Sequence, residues 1–285
     1  MRKILRKLFI NNFKSIFYLF QNSQSTNFKI KYLNLEIKRK CKLGEKGTFL
    51  KTRVDQIITP NIFKNGSWDY FIIDFIIRNT KNNINYSFID IGANIGLITK
   101  QIIEKNKSNI NKFYCVEPEE ENYYLLCQNL IQYKKKNIKK YKIAVTNKKS
   151  SKKKIYINEN NFGDFSLTRK SYLEKFEIIN TVNINEFLKN SLNLNKEKNI
   201  IYKSDIQGLD EIILLTINNE IIKKFKLLII EISNPKFLSK NYKKFEKILE
   251  QFNYIECYPD GKISKALLKK KIYNEGKFDL MLSRN

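Results

Sequence analysis

An α/β fold is what this sequence predicts: a mostly parallel sheet with helices on both faces and an antiparallel strand near one edge. Three observations predict it. Short apolar runs alternate with segments whose apolar residues recur at helical spacing, the pattern of a sheet covered on both sides. The first run of the series ends in a glycine-bearing turn, Asp90-Ile91-Gly92-Ala93-Asn94-Ile95-Gly96. The next ends in an acidic residue ahead of a proline, Glu117-Pro118.

The elements follow in order. Leu5, Leu8, Phe9, Phe13, Ile16, Phe17 and Phe20 stand opposite Arg2, Lys3, Lys7, Asn11 and Lys14, which predicts a basic amphipathic helix over 1–20. Such a helix can lie on an anionic membrane surface or dock on protein; docking is the simpler expectation. Residues 28–38 alternate apolar and polar and read as a strand or hairpin arm outside the main sheet. A helix over 68–79 leads into a strand at 87–91, a helix at 95–104, a strand at 112–116 and a helix at 119–132. Strands at 141–145 and 200–205 follow, then a helix over 210–222, a strand at 227–232 and a helix over 242–252. Two short strands, 254–257 and 278–282, close the chain. The lysine-rich stretches 134–154 and 189–199 read as solvated loops or faces.

The chain has 285 residues, 42% hydrophobic and 29% charged, long enough to bury one sizeable core. With only 4 Pro and 9 Gly, no linker-like stretch divides it. Residues 1–65 therefore read as an appendage of helix and strand, and 66–285 as one domain. The formal charge is +26, which favours phosphates or anionic lipid through long-range attraction and counterion release. Lys far outnumbers Arg, however, and Lys, Asn and Ile fill loops and helices alike, as an AT-rich genome writes where side chains are unconstrained. Surfaces that read bases or clamp phosphates prefer the planar fork of Arg. We read the charge as compositional, with no specific nucleic-acid partner.

Cys41, Cys115, Cys127 and Cys257 lie far apart without a CxxC pair, which suits reduced thiols of a cytoplasmic protein. The sequence has no histidine, so histidine triads, histidine-ligated zinc and a histidine base are excluded. No run approaches the ~20 apolar residues that span a bilayer. Asn11, Asn12 and Lys14 interrupt any signal-peptide core.

A buried strand delivers its last residues to the carboxyl edge of the sheet, where open α/β proteins bind ligands. Gly92 lets the backbone turn sharply, Asn94 tolerates a left-handed conformation, and Gly96 permits close packing of the following helix. Glu117, about 20 residues past the glycine turn and at the tip of the next strand, is placed to accept both hydroxyls of a ribose. NAD and S-adenosylmethionine share this geometry. The NAD loop needs glycine where Asn94 stands, so that backbone can approach a pyrophosphate; the methyl donor makes no such demand and is favoured.

In these residues the chain resembles the FkbM-type methyltransferases. The resemblance runs from about residue 68 to the C-terminus. It is carried by residues 88–96, by Val116-Glu117-Pro118 with Asn122, Leu125, Asn129 and Leu130, by Ala144-Val145, by Tyr202-Lys203-Ser204-Asp205-Ile206-Gln207-Gly208, and by Ile229-Ile230-Glu231-Ile232. The chain departs from the family at Gln207, where an acidic residue is usual, at Asp210, where Glu is usual, and at Asn185, where Asp is usual. The helix after Asp210 also lacks the usual closing glycine.

The resemblance implies a Rossmann-like class I methyltransferase fold with a mostly parallel, seven-stranded sheet and S-adenosylmethionine as methyl donor. It implies that Asp90, Gly92, Ala93, Asn94 and Gly96 surround the methionine end, that Glu117 holds the ribose, and that Pro118 and Ala144 flank the adenine. Asp205, where the methyl would point, is the catalytic candidate, as general base or as positioner of a substrate hydroxyl. The alternative role for Asp205 is structural, capping the following turn. Glu231 and Asn234 could complete a divalent-cation site with Asp205, but a carboxylate bonded to backbone is the preferred reading and no metal is expected. Residues 161–166, polar and glycine-containing, would wall the substrate pocket or simply make a turn.

The function implied is O-methylation of a sugar hydroxyl in a bacterial surface glycan or its precursor, in the cytoplasm or at the inner face of the membrane. Two other readings stand beside it. An RNA methyltransferase would use the charge of +26, though the segment after the fourth strand lacks the Asn/Asp-Pro-Pro-aromatic motif of amino-group methylation. A non-catalytic membrane-surface or assembly protein could retain the fold.

Overall fold

The computed structural model describes residues 32–37, 48–81, 83–105, 109–134, 136–167, 175–191, 197–274 and 276–284. The helix expected over 1–20 lies outside them. Strands β1 (Tyr32–Ile37) and β2 (Thr48–Arg53) form an antiparallel pair. Helices α1 (Ile58–Asn65) and α2 (Tyr70–Asn79) lead to β3 (Tyr86–Ile91), α3 (Leu97–Lys105), β4 (Ile110–Val116), α4 (Glu120–Leu130) and β5 (Asn137–Tyr141). Then come β6 (Ala144–Thr146), β7 (Ser151–Tyr156), β8 (Phe176–Asn183), α5 (Ile184–Ser191) and β9 (Ile200–Ser204). The chain continues through α6 (Asp210–Thr216), α7 (Asn219–Ile222), β10 (Phe225–Ile232), α8 (Pro235–Lys240), α9 (Tyr242–Leu249), β11 (Tyr254–Tyr258), β12 (Gly261–Lys262), α10 (Lys265–Asn274) and β13 (Phe278–Ser283).

The main sheet runs β12-β11-β13-β10-β9-β3-β4-β5. Strands β5, β4, β3, β9 and β10 are parallel, and β13 is antiparallel between β10 and β11. This is the expected mostly parallel, Rossmann-like architecture, with one addition. The sheet has eight strands rather than seven, because β12 closes a short hairpin on β11.

Every residue of β3 and β9 is buried, as parallel strands covered on both faces require. Side chains alternate between two cores. Ile89, Tyr114, Tyr202, Leu228 and Ile230 pack under α6 and α9, while Phe88, Phe113, Ile201, Leu227 and Ile229 pack under α2 and α3. The parallel register pairs Asp90 with Lys203 and Ile91 with both Ser204 and Val116, so three strand ends meet at one edge. From β3 the chain goes to β4 and β5 on one side and returns to β9 and β10 on the other. That reversal opens a crevice at the β3/β9 junction.

Three expectations are corrected. The strand expected at 141–145 is two strands: β5 ends at Tyr141 in the main sheet, and Ala144 opens β6 in a separate sheet of order β6-β8-β7. The stretch 134–154 is not loop throughout, since it holds β5, β6 and the start of β7; exposed lysines such as Lys152 and Lys154 masked the alternation. The helix expected over 210–222 breaks into α6 and α7, because Ile217 is extended and buried. Asn185 fixes that break, its amide donating to Thr216 O and accepting from Asn218 N. Residues 265–274, between β12 and β13, form the helix α10. Among the described residues, no helix is long and apolar enough to cross a membrane.

Candidate functional site

The glycine turn at the end of β3 is shaped by its neighbours. Gly92 (φ +74°) lies so close to β9 that a Cβ would sit 2.0 Å from the Asp205 carbonyl oxygen. Its N–H and that of Ala93 both donate to Val116 O, at 3.0 and 2.9 Å. The turn is thereby pinned between both neighbouring strands. Gly96 (φ +80°) packs on α4, where a Cβ would lie 2.6 Å from Leu126 Cδ1; the close approach is to this helix rather than to the strand. Asn94 takes the left-handed conformation (φ +50°), and its side chain accepts from Ile95 N and donates to Phe162 O at 2.8 Å.

Glu117, 4% exposed, follows the last residue of β4. One carboxyl oxygen accepts from Asn94 N at 2.9 Å and the other from Glu119 N at 3.0 Å. Burial pushes its pKa up to about 8, against the pull of those two N–H groups. Pro118 then leads to Glu119, which caps α4 by accepting from Asn122 N at 2.6 Å.

Asp90 is fully buried beneath the turn. It accepts from Thr99 Oγ1 at 2.8 Å and faces Lys203 Nζ at 3.0 Å. The same ammonium donates to Gly92 O at 2.9 Å. Burial alone would lower the Lys203 pKa, but the Asp90 and Asp205 carboxylates outweigh it and hold the ammonium above its usual value.

Asp205 donates its N–H to Ile91 O at 3.1 Å, and its carboxylate accepts from Gln207 Nε2 at 2.9 Å. The turn after β9 is capped by a different residue. Asp210, fully buried, accepts from Ser204 Oγ at 2.6 Å and from Ile206 N at 3.1 and 3.2 Å. The structural role weighed for Asp205 thus falls to Asp210.

These groups meet around one cavity of about 280 Å³. Gly92, Ala93, Asn94, Glu117, Pro118, Ala144, Asp205 and Glu231 line it, as do Phe162 and Gly163 of the 161–166 loop. Asp90 and Gly96 support the turn from below and behind. Asn234 is drawn away from the cation site considered for it: its side chain caps α8 by accepting from Phe237 N at 3.1 Å. Among the described residues no group of three or more acidic or thiol side chains is arranged to hold a metal ion.

Sequence reasoning singled out neither Asp69 nor Asp279, both of which line the cavity with Lys203. Asp279 is visible only as an acid inside the apolar run Phe278-Asp279-Leu280-Met281-Leu282, and Lys203 only as a cation inside Ile200-Ile201-Tyr202-Lys203. Burial and the neighbouring Asp205 raise Asp69 to about 7 and Glu231 to about 8; burial, Asp69 and Asp205 raise Asp279 to about 8.

A carboxyl raised in the folded state binds more protons there than when unfolded. Its stabilising contribution is full below the ordinary pKa of 4.5 and is lost as pH climbs to about 8. We therefore expect Glu231→Gln, neutral at every pH, to gain in melting temperature over the native chain steadily from pH 5 to 8. A gap that stays constant or shrinks would contradict this.

No protein-family model matches the chain, and comparison with curated proteins gives no match. Three solved structures illustrate the likeness. An rRNA methylase from Streptococcus thermophilus has 13% identity and a TM-score of 0.41, covering 75% of this chain and 94% of that one. M. jannaschii TYW2 in complex with AdoMet has 13% identity and a TM-score of 0.42, covering 91% and 90%. The methyltransferase FkbM from Methylobacillus flagellatus has 15% identity and a TM-score of 0.40, covering 78% and 52%. Likeness at this level assigns no function, and membership of the FkbM family does not follow from it.

Proposed function

We propose that this chain is an S-adenosylmethionine-dependent O-methyltransferase acting on a sugar hydroxyl of a bacterial surface glycan or its precursor. One observation carries the donor: the turn with Gly92 and Asn94, the buried Glu117 and the apolar Ala144 line a single cavity at the sheet's switch point. The fit is chemical as well as topological. Glu117 offers a carboxyl to a ribose, Pro118 and Ala144 offer apolar walls to an adenine, and the acids near Lys203 suit the positive end of the donor.

The donor would supply a methyl group on a sulfonium, an electrophile already activated for transfer. The chain's residues would orient the acceptor and take its proton. In this reading Asp205 would take the proton of the acceptor hydroxyl while that oxygen takes the methyl group the donor would supply. The glycan assignment rests on the sequence resemblance. It is supported by the acids Asp69, Asp205, Glu231 and Asp279 around the cavity, which suit an uncharged hydroxyl better than a phosphate.

Calorimetric titration of the native chain with S-adenosylhomocysteine tests the donor. Binding is expected, weakened up to about tenfold in Glu117→Ala, the worth of one hydrogen bond; no heat of binding would end the donor reading. Transfer of a labelled methyl group to a panel of sugar nucleotides and glycolipid precursors tests the acceptor. Asp205→Ala should lower that turnover more than donor affinity. Transfer to RNA but to no sugar would overturn the glycan reading.

A further inference from the structure

Phe162, from the loop between β7 and β8, lines the cavity beside the residues assigned to the adenine. It is held from every side. Its carbonyl accepts from Asn94 Nδ2 at 2.8 Å and Asn122 Nδ2 at 3.0 Å. Its N–H donates to the Asp55 carboxylate. The guanidinium carbon of Arg53 stands 3.5 Å over the centre of its ring.

Arg53, 8% exposed, is itself fixed. It donates to both Glu119 oxygens at 2.9 Å and to Asn122 Oδ1 at 3.2 Å, and pairs with Glu121 at 3.0 Å. The planar fork meets the acids at its edge and the ring with its face, a combination an ammonium cannot reproduce. The segment following Arg53 grips the same loop: Gln56 N–H donates to Asn160 O at 3.0 Å. Ile58 reaches to within 2.8 Å of where a Gly163 Cβ would stand. Apart from Asn94, these partners lie outside the strand ends that carry the chemistry.

We propose that Arg53 is a positioning residue for the donor site, holding Phe162 as a wall of the cavity without lining the cavity itself. The end of β2, outside the α/β core, thereby sets the affinity of the site. The donor's identity rests on the reading above; the action of Arg53 on Phe162 does not.

Two variants test it in the full-length chain. Arg53→Lys keeps a positive charge beside Glu119 but loses the flat face. Phe162→Leu keeps an apolar wall but loses the ring. Each should weaken S-adenosylhomocysteine about tenfold, a change of about 1.4 kcal/mol, and the double variant should be no weaker than either single one. Additive losses, or native affinity in Arg53→Lys, would overturn the proposal. Hydrogen exchange without ligand provides the independent readout. In Arg53→Lys the amides of 158–166 should exchange about tenfold faster while those of β9 stay protected. Unchanged exchange at 158–166 overturns the proposal whatever the cavity binds. If the native chain fails to bind the probe but the exchange changes as expected, the donor reading falls and the role of Arg53 stands.

Discussion

Lys203→Met should cost about 3–5 kcal/mol of stability, the usual penalty for removing one partner of a buried ion pair. The reason lies in what the ammonium serves. Asp90 is fully buried, and among the described residues Thr99 and Lys203 are what meet its carboxyl. The same ammonium donates to the Gly92 carbonyl, at the turn that faces the cavity. Methionine fills similar volume, so the loss would come from charge and hydrogen bonding rather than from a hole. Urea denaturation should show the loss, and S-adenosylhomocysteine binding should fall beyond calorimetric detection because the turn loses its underpinning. Asp90→Asn added to Lys203→Met should recover part of the stability, since it removes the stranded charge. A single variant of native stability would mean that the pair is no structural unit.

Gly92→Ala is the second large effect. A side chain there meets two penalties: about 1–2 kcal/mol for the left-handed backbone, and about 1–3 kcal/mol for overpacking against a wall that cannot yield. The wall is backbone, the Asp205 carbonyl at 2.0 Å, so no rotamer change relieves it. β3 and β9 would have to separate at the mouth of the cavity. Gly208→Ala is the control, because Gly208 also has positive φ (+112°) but nothing within 4 Å. Denaturation should place Gly92→Ala well below Gly208→Ala, with ligand binding lost only in the former. Equal stability in the two would show that the contact with Asp205 is slack.

The sheet was legible because its strands are mostly buried and so read as short, largely apolar runs, as in Ile200–Ser204 and Phe225–Ile232. The small sheet was not. β8 exposes Phe176 and Ile178 while β7 exposes lysines, so neither strand alternates in the way a half-buried strand should. The expected seat of the donor was legible for a similar reason: glycine, asparagine and a strand-end carboxylate are written locally, within a few residues. What escaped notice is set by distance in the chain. Asp69, Lys203 and Asp279 come from three elements, and only the sheet order brings them to one cavity. Arg53 escaped for the same reason, since its partners Glu119 and Phe162 lie in segments that sequence alone does not bring to it. Gly92 was read as letting the backbone turn sharply; the structure shows it also making room for the Asp205 carbonyl.

The hydrogen bond from Lys203 to Gly92 joins residues 111 apart, and closures of that span come late and slowly in folding. A chain that has joined β3 to β4 but has yet to dock β9 possesses the whole glycine turn and no pocket. A ligand of the cavity would therefore bind only a copy whose two halves have met, and would in turn hold them together.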